Sequence, residues 1–466
     1  MPAEEPVAPA DGGSPDGDSM GGPGPVAAGP YPAGPAAAGP AAAGPAAAGP
    51  AGVLARLAAG RPAGDHRVLL YPWLVSRLVA LLILIPENDI LRDVIYYGRG
   101  ARAVAGPQGL RDVLPEYPAP SFALFGPLWW ATRGNWYAYL TGFVVIMIAL
   151  DAAFTLALWR AAGRRPTPGL WLWILLVPLL GPLAYARFDL VPAVFAGGAL
   201  LAVAARRPAT AGLLTGAGAA MKLWPAALLP AMLLRRGGRG RVAAGFLAVG
   251  AVAVLATLAT AGVSRLVSPL TWQGDRGLQI ESLFAVPLLW ARLVSPSTWG
   301  TPYTRFSAFQ VEGPGAGMLA DLSTVATAAG LGLLVWLWWR VLRWRQRPGD
   351  VLPVAGLLMI GTASLLIITN RTLSPQYLFW VGGLLAALGC LTPAEPTVPR
   401  LVRLLLVGGA VTQVIYPIGY ALLTNETWAT WIGVGLLTAR NGVLVAITVI
   451  AVRRVVALTA RSAVPA

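Results

Sequence analysis

The sequence predicts an all-α protein, a polytopic transmembrane helical bundle of about twelve spans. Charged residues make up only 12% of the chain, whereas soluble domains carry roughly 25%. Several apolar runs match the ~17–25 residues that an α-helix needs to cross the hydrocarbon core of a bilayer. Arginines concentrate in the short segments between these runs, as in membrane proteins whose basic loops set their orientation. These three observations exclude a soluble globular domain.

Residues 1–62 form a low-complexity segment that is rich in proline, alanine and glycine. Proline and glycine interrupt helices, and the segment lacks the large apolar side chains that build a core. We therefore expect a disordered cytoplasmic tail, followed by a transmembrane domain over residues 63–466. The tail contains no apolar stretch typical of a secretory signal peptide, so we expect none.

The predicted spans follow the apolar runs in order. They lie near residues 69–86, 137–159, 170–185, 190–205, 243–261, 351–368, 376–391, 401–422 and 428–452, and another span ends at residue 340. The stretch 121–130 is too short to cross, so we predict an interfacial helix there, with Trp129 and Trp130 at the head-group level. A long outer loop is predicted over residues 263–317, with a short re-entrant stretch inside it.

Residues 211–234 are apolar, but Lys222 and Pro225 interrupt them near the middle. As a single crossing, this segment would place Arg235 and Arg236 on the opposite side from the other arginine clusters. We therefore predict a hairpin of two short helices, with Lys222 near its outer tip.

The distribution of charge predicts the orientation and argues against several kinds of site. We expect the arginine-rich loops and both termini in the cytoplasm, and the active site on the extracytoplasmic face of a bacterial plasma membrane. The net charge of +15 does not indicate nucleic-acid binding, because the arginines lie in loops between spans. The single cysteine, Cys390, and the single histidine, His66, support neither a disulfide framework nor a zinc site. We expect no metal and no cofactor.

Four outer regions carry side chains that suit a polar substrate. These are Asp93, Tyr96, Tyr97, Glu116 and Tyr117 in the first; Arg187, Asp189 and Lys222 in the second; Arg276, Gln279 and Glu281 in the third; and Arg371, Ser374, Gln376 and Tyr377 in the fourth. Charges at span boundaries usually face a cavity or a partner. A non-catalytic explanation also fits these residues. The acids of the first region would be solvated, Arg187 and Asp189 would form an ion pair, and Lys222 would extend its ammonium group to the membrane interface. The residues of the third and fourth regions would cap helices.

The ordered series of motifs in these regions resembles glycosyltransferase family 87, a family of the C-type superfamily that depends on polyprenyl-phosphate sugars. The motifs are DVIYY with EYP, ARFDLVPA, KLWP, RGLQIES and TLSPQYLFW, within residues 67–455. The resemblance implies a C-type glycosyltransferase-like bundle in the lipid bilayer and an α-mannosyltransferase-like activity. The expected donor is a polyprenyl-phosphate sugar, and the expected acceptor is a hydroxyl of a cell-envelope glycolipid or glycan. Arabinofuranosyl transfer by the same mechanism is the alternative.

The resemblance also implies roles for individual residues. A carboxylate of the first outer loop acts as the catalytic base, and Asp93 matches this position best, with Asp89 as the alternative. The lipid phosphate leaves as an anion, so it needs cationic partners, and the candidates are Arg187, Lys222, Arg276 and Arg371. The expected substrate-binding residues are Tyr96, Tyr97, Glu116, Tyr117, Asp189, Gln279, Glu281, Ser374, Gln376 and Tyr377. One direct displacement would invert the anomeric centre.

Two other classes of protein fit many spans and intramembrane charges. A transporter or flippase of lipid-linked sugars is the first, but the sequence shows no internal repeat of the kind found in many transporters. A non-catalytic scaffold is the second, and it would not need the polar side chains of the outer segments. The enzyme hypothesis therefore leads.

Overall fold

The computed structural model describes residues 66–84, 88–106, 109–347 and 349–460. These residues form seventeen α-helices joined by short 3-10 or π turns and no named β-strand. The helices are α1 Arg67–Leu84, α2 Arg92–Val104, α3 Phe122–Ala131, α4 Trp136–Ala161, α5 Pro168–Leu180, α6 Leu183–Ala186, α7 Leu190–Ala204, α8 Pro208–Met221, α9 Leu229–Met232, α10 Arg239–Gly274, α11 Val286–Val294, α12 Ala316–Arg343, α13 Val351–Thr369, α14 Leu378–Leu391, α15 Val398–Gln413, α16 Ala421–Thr424 and α17 Thr430–Ala460. The predicted tail, 1–62, lies outside the described residues.

Seven helical segments of the described chain are long and apolar enough to cross a membrane. They are Arg67–Leu84, Trp136–Ala161, Arg239–Gly274, Ala316–Arg343, Val351–Thr369, Val398–Ile418 and Thr430–Ala460. Shorter apolar helices, including α5 and α7, pack between them, and α7 is buried along most of its length. The predicted class, an all-α polytopic membrane bundle, is confirmed. The number of spans stays a prediction.

The turns between helices gather at two ends of the bundle. At one end, Arg235 Nη1 donates to the carbonyl of Val203 at 2.9 Å. The loops of this end cover residues 160–167, 203–208, 233–241, 340–350 and 392–398, and we call it the arginine-rich end. The segments of the opposite end, which we call the cavity end, cover residues 88–106, 109–135, 181–189, 222–228, 275–315, 370–377 and 414–430.

The predicted hairpin over residues 211–234 is confirmed. Helix α8 ends at Met221, and Lys222 has extended backbone angles. Pro225 explains the break, because its ring would clash with the carbonyl of residue 221 if the helix continued. The chain then returns through a 3-10 turn and α9 to Arg235, which contacts Val203 at the start of the hairpin.

The predicted outer segment 263–317 begins as a helix and not as a loop, because helical structure resumes after Gly262 and continues to Gly274. Gly262, with the non-helical angles φ 79° and ψ −177°, interrupts α10 between residues 239–261 and 263–274, in a conformation that glycine adopts readily. The extension carries Arg265, which donates to the carbonyls of Val113 and Leu114 at 3.3 and 3.1 Å. These bonds tie α10 to the first outer loop, a contact that hydropathy does not reveal.

The predicted span 401–422 is displaced by a few residues, because the apolar helical segment covers Val398–Ile418. Helix α15 ends at Gln413, and a π segment follows over Val414–Ile418. Within it, Tyr416 has extended backbone angles, φ −140° and ψ 126°, next to Pro417. The break turns Tyr416 and Tyr420 toward the cavity end.

A buried ion pair joins the first two of the long apolar helices, α1 and α4. Nε and Nη2 of Arg77 on α1 donate to the two carboxylate oxygens of Asp151 on α4, each at 2.7 Å, and neither side chain is more than 4% exposed. Trp173 and Tyr185 also donate to this carboxylate, at 2.7 and 3.0 Å. A buried charge is tolerated when it is paired and fully hydrogen-bonded. The pair therefore explains an arginine that looks out of place in an apolar helix.

Candidate active site

A cavity of about 360 Å³ opens at the cavity end of the bundle. Its wall is assembled from α2, the turn before α7, the break after α8, the end of α10 and three loops. The candidate residues that line it are Asp93, Tyr96, Glu116, Tyr117, Arg187, Lys222, Arg276, Gln279, Glu281, Ser374, Gln376 and Tyr377. The fold thus brings all four outer regions to one polar site.

Asp93 and Arg187 form an ion pair in the cavity wall. Asp93 lies in the first turn of α2, where the helix dipole favours a carboxylate, and its Oδ2 contacts Arg187 Nη1. The Asp93 side chain remains 32% exposed, so a substrate can reach it. Arg187 also donates to the Tyr416 hydroxyl at 2.8 Å, while its buried Nε has no hydrogen-bond partner among the described residues.

Lys222 points into an aromatic cage at the break after α8. Its Nζ lies 2.7 Å from Asp189 Oδ1 and 5.1 and 5.3 Å from the ring centroids of Tyr377 and Trp380. Tyr117 completes the cage at 5.9 Å. Aromatic faces attract a cation, so the cage and Asp189 fix the ammonium group at the cavity wall.

Glu116 and Arg276 lie on another part of the wall. Burial raises the pKa of the Glu116 carboxyl above its usual value, and hydrogen bonds from its own backbone and from Tyr96, together with Arg276, only partly oppose the shift. Arg276 Nη2 donates to the Phe306 carbonyl at 3.2 Å, and its guanidinium lies 5.6 Å from the Phe306 ring centroid. A carboxyl and a cation of this kind can bind sugar hydroxyls and phosphate oxygens.

Glu281 is held in the wall by a buried ion pair. Arg440 on α17 donates to Glu281 Oε2 at 2.5 Å and to its main-chain carbonyl at 3.0 Å. Asn441 donates to the same carbonyl at 3.2 Å, and the Tyr420 hydroxyl donates to Oε1 at 3.3 Å. These contacts attach the outer loop after α10 to the last helix and fix the position of the Glu281 carboxylate.

A comparison of the sequence with family models gives the family of this membrane protein. The model of glycosyltransferase family 87 matches residues 116–369, more than half of the chain. The chain belongs to glycosyltransferase family 87. Comparisons with curated proteins and with solved structures found no match. Family 87 membership makes the protein a membrane glycosyltransferase with a sugar donor and an acceptor.

The family 87 match is shorter than the resemblance seen in the sequence. It begins at Glu116, so it contains Arg187, Lys222 and Arg276, whereas Asp93 precedes it. Gln376 and Tyr377 follow its end at residue 369. The grouping of Asp93 with the matched residues therefore rests on the cavity.

Two candidate residues of the family 87 enzyme, Tyr97 and Asp189, are not among those that line the cavity. Tyr97 is 1% exposed, because its ring stacks on Phe125 in the core, and its hydroxyl lies 3.2 Å from that of Tyr117. Asp189 is also buried and reaches the cavity only through Lys222. For Asp89, the structure describes the backbone, in a 3-10 turn, and not the side chain. Direct substrate contact by Tyr97 or Asp189 does not fit their burial.

Arg371 does not line the cavity of the family 87 enzyme either. Its Nη1 donates to the carbonyls of Gly274 and Arg276 at 3.2 and 3.0 Å, and its Nη2 contacts Thr324. The guanidinium therefore joins the end of α10 to α12. This position does not fit the expected contact with phosphate, and the guanidinium instead contacts the main chain of Arg276.

The structure adds residues to the site that the sequence reading missed. Arg440 lies inside an apolar span. Charged residues within a membrane usually face a partner or a cavity, so its position in the sequence could have marked it as a candidate. Tyr416 and Tyr420 gave no comparable signal apart from the neighbouring Pro417. Within the described chain, no three His, Cys, Asp or Glu side chains come close enough together to hold a metal ion.

Proposed function

We propose that this family 87 enzyme transfers a sugar from a polyprenyl-phosphate donor to a hydroxyl of a cell-envelope glycolipid or glycan. The observation that carries the proposal is the meeting of the Asp93 carboxylate with Arg187, Lys222 and Arg276 around one cavity. Sugar transfer from a phosphate donor requires a proton acceptor for the attacking hydroxyl and cations for the leaving phosphate. Mannose is the proposed sugar on the basis of the motif resemblance, and arabinofuranose is the alternative.

The cations suit the phosphate of the donor. Lys222 acts as a point charge that its aromatic cage holds in place, and Arg187 offers a planar guanidinium for bidentate contact. Arg276 stands on the opposite loop, where Phe306 supports it. When the bond between the anomeric carbon and the phosphate oxygen breaks, the electron pair stays on the phosphate. These charges stabilise that anion as it leaves.

Asp93 supplies the base. The acceptor hydroxyl attacks the anomeric carbon as its proton passes to the Asp93 carboxylate, so a neutral hydroxyl becomes a glycosidic oxygen. Positioned bases of this kind contribute ~10²–10⁴-fold to rate. A single displacement of this type inverts the anomeric configuration.

Because Asp93 is paired with Arg187, donor binding would release the Asp93 carboxylate to act as the base. A donor phosphate near Arg187 competes with Asp93 for the guanidinium, because both ligands are anionic. Once Arg187 turns to the phosphate, the Asp93 carboxylate is available to the acceptor hydroxyl. Donor binding before acceptor binding follows from this exchange.

An apolar groove beside the cavity suits the lipid chain of the donor. The groove has a volume of about 220 Å³ and lies between α8 and α10, where glycines and alanines leave space. Two of its lining residues, Pro118 and Leu223, directly follow the cavity residues Tyr117 and Lys222 in the chain. A polyprenyl chain in this groove would therefore place its phosphate beside Lys222.

The test uses purified protein in liposomes with labelled polyprenyl-phosphate-mannose and an acceptor glycolipid. Asp93→Asn should lower the transfer rate by at least about 100-fold. Asp112→Asn, which removes an exposed acid of the same loop outside the cavity, should leave the rate unchanged. Transfer that survives Asp93→Asn removes Asp93 as the base. Label that changes leaflet without a new glycosidic bond indicates a flippase instead.

The proposed orientation places the arginine-rich end and both termini in the cytoplasm of a bacterium, and the cavity on the extracytoplasmic face. Cys390 is buried, so a Cys390→Ala protein provides a background for single exposed cysteines. In intact cells, a membrane-impermeant maleimide should label Ser297→Cys at the cavity end and not Ala205→Cys at the arginine-rich end. The reverse pattern overturns the orientation.

A further inference from the structure

A second and larger cavity lies at the arginine-rich end, away from the site of sugar transfer. It measures about 1040 Å³, and Arg206, Arg235, Arg236 and Arg241 line it. No aspartate or glutamate is among its described lining residues. The glycosyltransferase chemistry proposed above uses none of these arginines, so the cavity needs its own explanation.

The four arginines come together from separate parts of the chain. Arg206 belongs to the turn between α7 and α8, and the others belong to the turn before α10 and its first residues, while Gln346, Val351 and Leu352 form a third side. Arg235 is fixed by its bond to the Val203 carbonyl at 2.9 Å. Arg206, Arg236 and Arg241 are exposed and form no ion pair with any described carboxylate. The cavity therefore carries a concentrated and uncompensated positive charge.

The backbone around this cavity adds to its affinity for anions. Helices α8 and α10 both begin at its wall, with Pro208 in the first turn of α8 and Gly238 before the first residue of α10. Helix N-termini attract anions through unpaired N–H groups. Gly237 and Gly240, which flank the second start, have open space where a side chain would stand, so a ligand can approach their backbone.

The floor of the cavity is apolar and belongs to the membrane helices. Val203, Met232, Val351 and Leu352 form part of it. A soluble anion would gain nothing from these side chains, whereas a lipid presents a charged head group and an adjoining glycerol and acyl region. Basic pockets between transmembrane helices bind the head groups of anionic lipids by this combination of contacts.

We propose that this cavity binds the phosphate head group of an anionic phospholipid from the leaflet at the arginine-rich end. Basic loops also orient membrane proteins, but orientation alone does not explain why these arginines surround a cavity. Arg160, Arg164 and Arg165 lie at the same end and are equally exposed, but they do not line the cavity. They therefore provide a natural comparison.

The test compares two triple variants of the full-length protein in detergent by native mass spectrometry with added phosphatidylglycerol or phosphatidylcholine. One is Arg206→Gln/Arg236→Gln/Arg241→Gln, and the control is Arg160→Gln/Arg164→Gln/Arg165→Gln. Each removes three exposed charges from the same end, and each includes one position of positive φ, 57° at Arg206 and 58° at Arg164.

The first variant is expected to lose phosphatidylglycerol binding by about 100-fold and the control by less than about tenfold, given what each basic residue contributes at an anionic lipid surface. Equal losses in the two variants, or no preference of the wild type for phosphatidylglycerol, overturn the proposal. Inorganic phosphate that binds with the same dependence on the three arginines shows a soluble ligand and overturns the lipid assignment.

A measurement on the wild type covers the case in which the variant does not fold. A photoreactive phosphatidylglycerol in liposomes should attach to peptides containing residues 203–208, 235–242 or 346–352. Attachment mainly to the loop 160–167 contradicts the proposal. Since this readout requires no sugar transfer, its failure and the failure of the proposed enzyme mechanism are distinguishable.

Discussion

Lys222 Nζ lies 2.7 Å from Oδ1 of Asp189, a residue that is only 1% exposed at the start of α7. Trp380 Nε1 donates to the same oxygen at 2.8 Å, while the other carboxylate oxygen of Asp189 has no hydrogen-bond partner among the described residues. The buried carboxylate holds the ammonium group at the cavity wall, where it is still 20% exposed. Asp189 thus positions a cation that faces the substrate.

Replacement of Lys222 by methionine is expected to weaken use of the donor and not of the acceptor. A hydrogen bond to a charged group contributes about 1.5–3 kcal/mol, so the apparent KM for the donor should rise roughly 10- to 100-fold. Steady-state transfer assays with each substrate varied in turn measure this.

The control separates the contact with phosphate from the loss of the ion pair. Lys222→Met leaves Asp189 as an unpaired buried charge, which lowers stability, whereas Lys222→Met/Asp189→Asn leaves none. The double variant should regain thermal stability while its donor KM stays high. Recovery of both would mean that Lys222 acts only through the structure.

Arg440 is expected to act through Glu281. Arg440→Lys keeps the charge but loses the paired contacts with the side chain and the main chain of Glu281. Arg440→Lys and Glu281→Gln should therefore raise the KM for the same substrate, whether that is the donor or the acceptor. Because both changes affect one carboxylate, the double variant should add little, whereas independent roles would give additive losses.

The Arg77–Asp151 pair is expected to support stability and not catalysis. Asp151→Asn removes one partner of a buried, fully bonded pair, and such changes cost about 3–5 kcal/mol. Thermal unfolding in detergent should show a large decrease in Tm for Asp151→Asn and a smaller one for Arg77→Met/Asp151→Asn, which leaves no unpaired charge. If the double variant is less stable than Asp151→Asn, an unpaired buried charge does not explain the decrease in Tm.

Glu116 is expected to make stability depend on pH. Burial raises its pKa in the folded protein above the usual 4.5, so the folded state holds the proton more tightly than the unfolded chain does. The stabilising contribution of this group is complete below the unfolded pKa and is lost as pH rises through the folded pKa. The Tm of Glu116→Gln relative to wild type should therefore increase as the pH rises above the unfolded pKa of about 4.5.

Glu395 serves as a control of opposite sign. Burial pushes its pKa upward, but hydrogen bonds from Arg454 and Thr397 outweigh burial and hold the pKa below its usual value. Its stabilising contribution is present above the unfolded pKa and is lost as pH falls through the folded pKa. Glu395→Gln should thus lose stability at neutral pH and approach wild type in acid. Parallel profiles for the two variants would contradict both assignments.

The sequence by itself predicted the helical membrane class, the family, the break at Lys222 and most of the residues that line the cavity. These features depend on local properties. Hydropathy marks a span, proline ends a helix, and polar side chains collect in the segments between spans. The helix over residues 263–274 was not predicted, because these local signals weaken after the break at Gly262.

Only the tertiary structure decided which charges meet. Arg77 finds Asp151, Lys222 finds Asp189, and Arg440 finds Glu281, across 33 to 159 positions of chain. Helix packing sets these distances, and no local pattern encodes them. The same packing turned Tyr97 into the core and left Asp93 and Tyr96 at the cavity, although all three share one helix. Spacing along a helix defines a face, but the neighbouring helices determine what that face contacts.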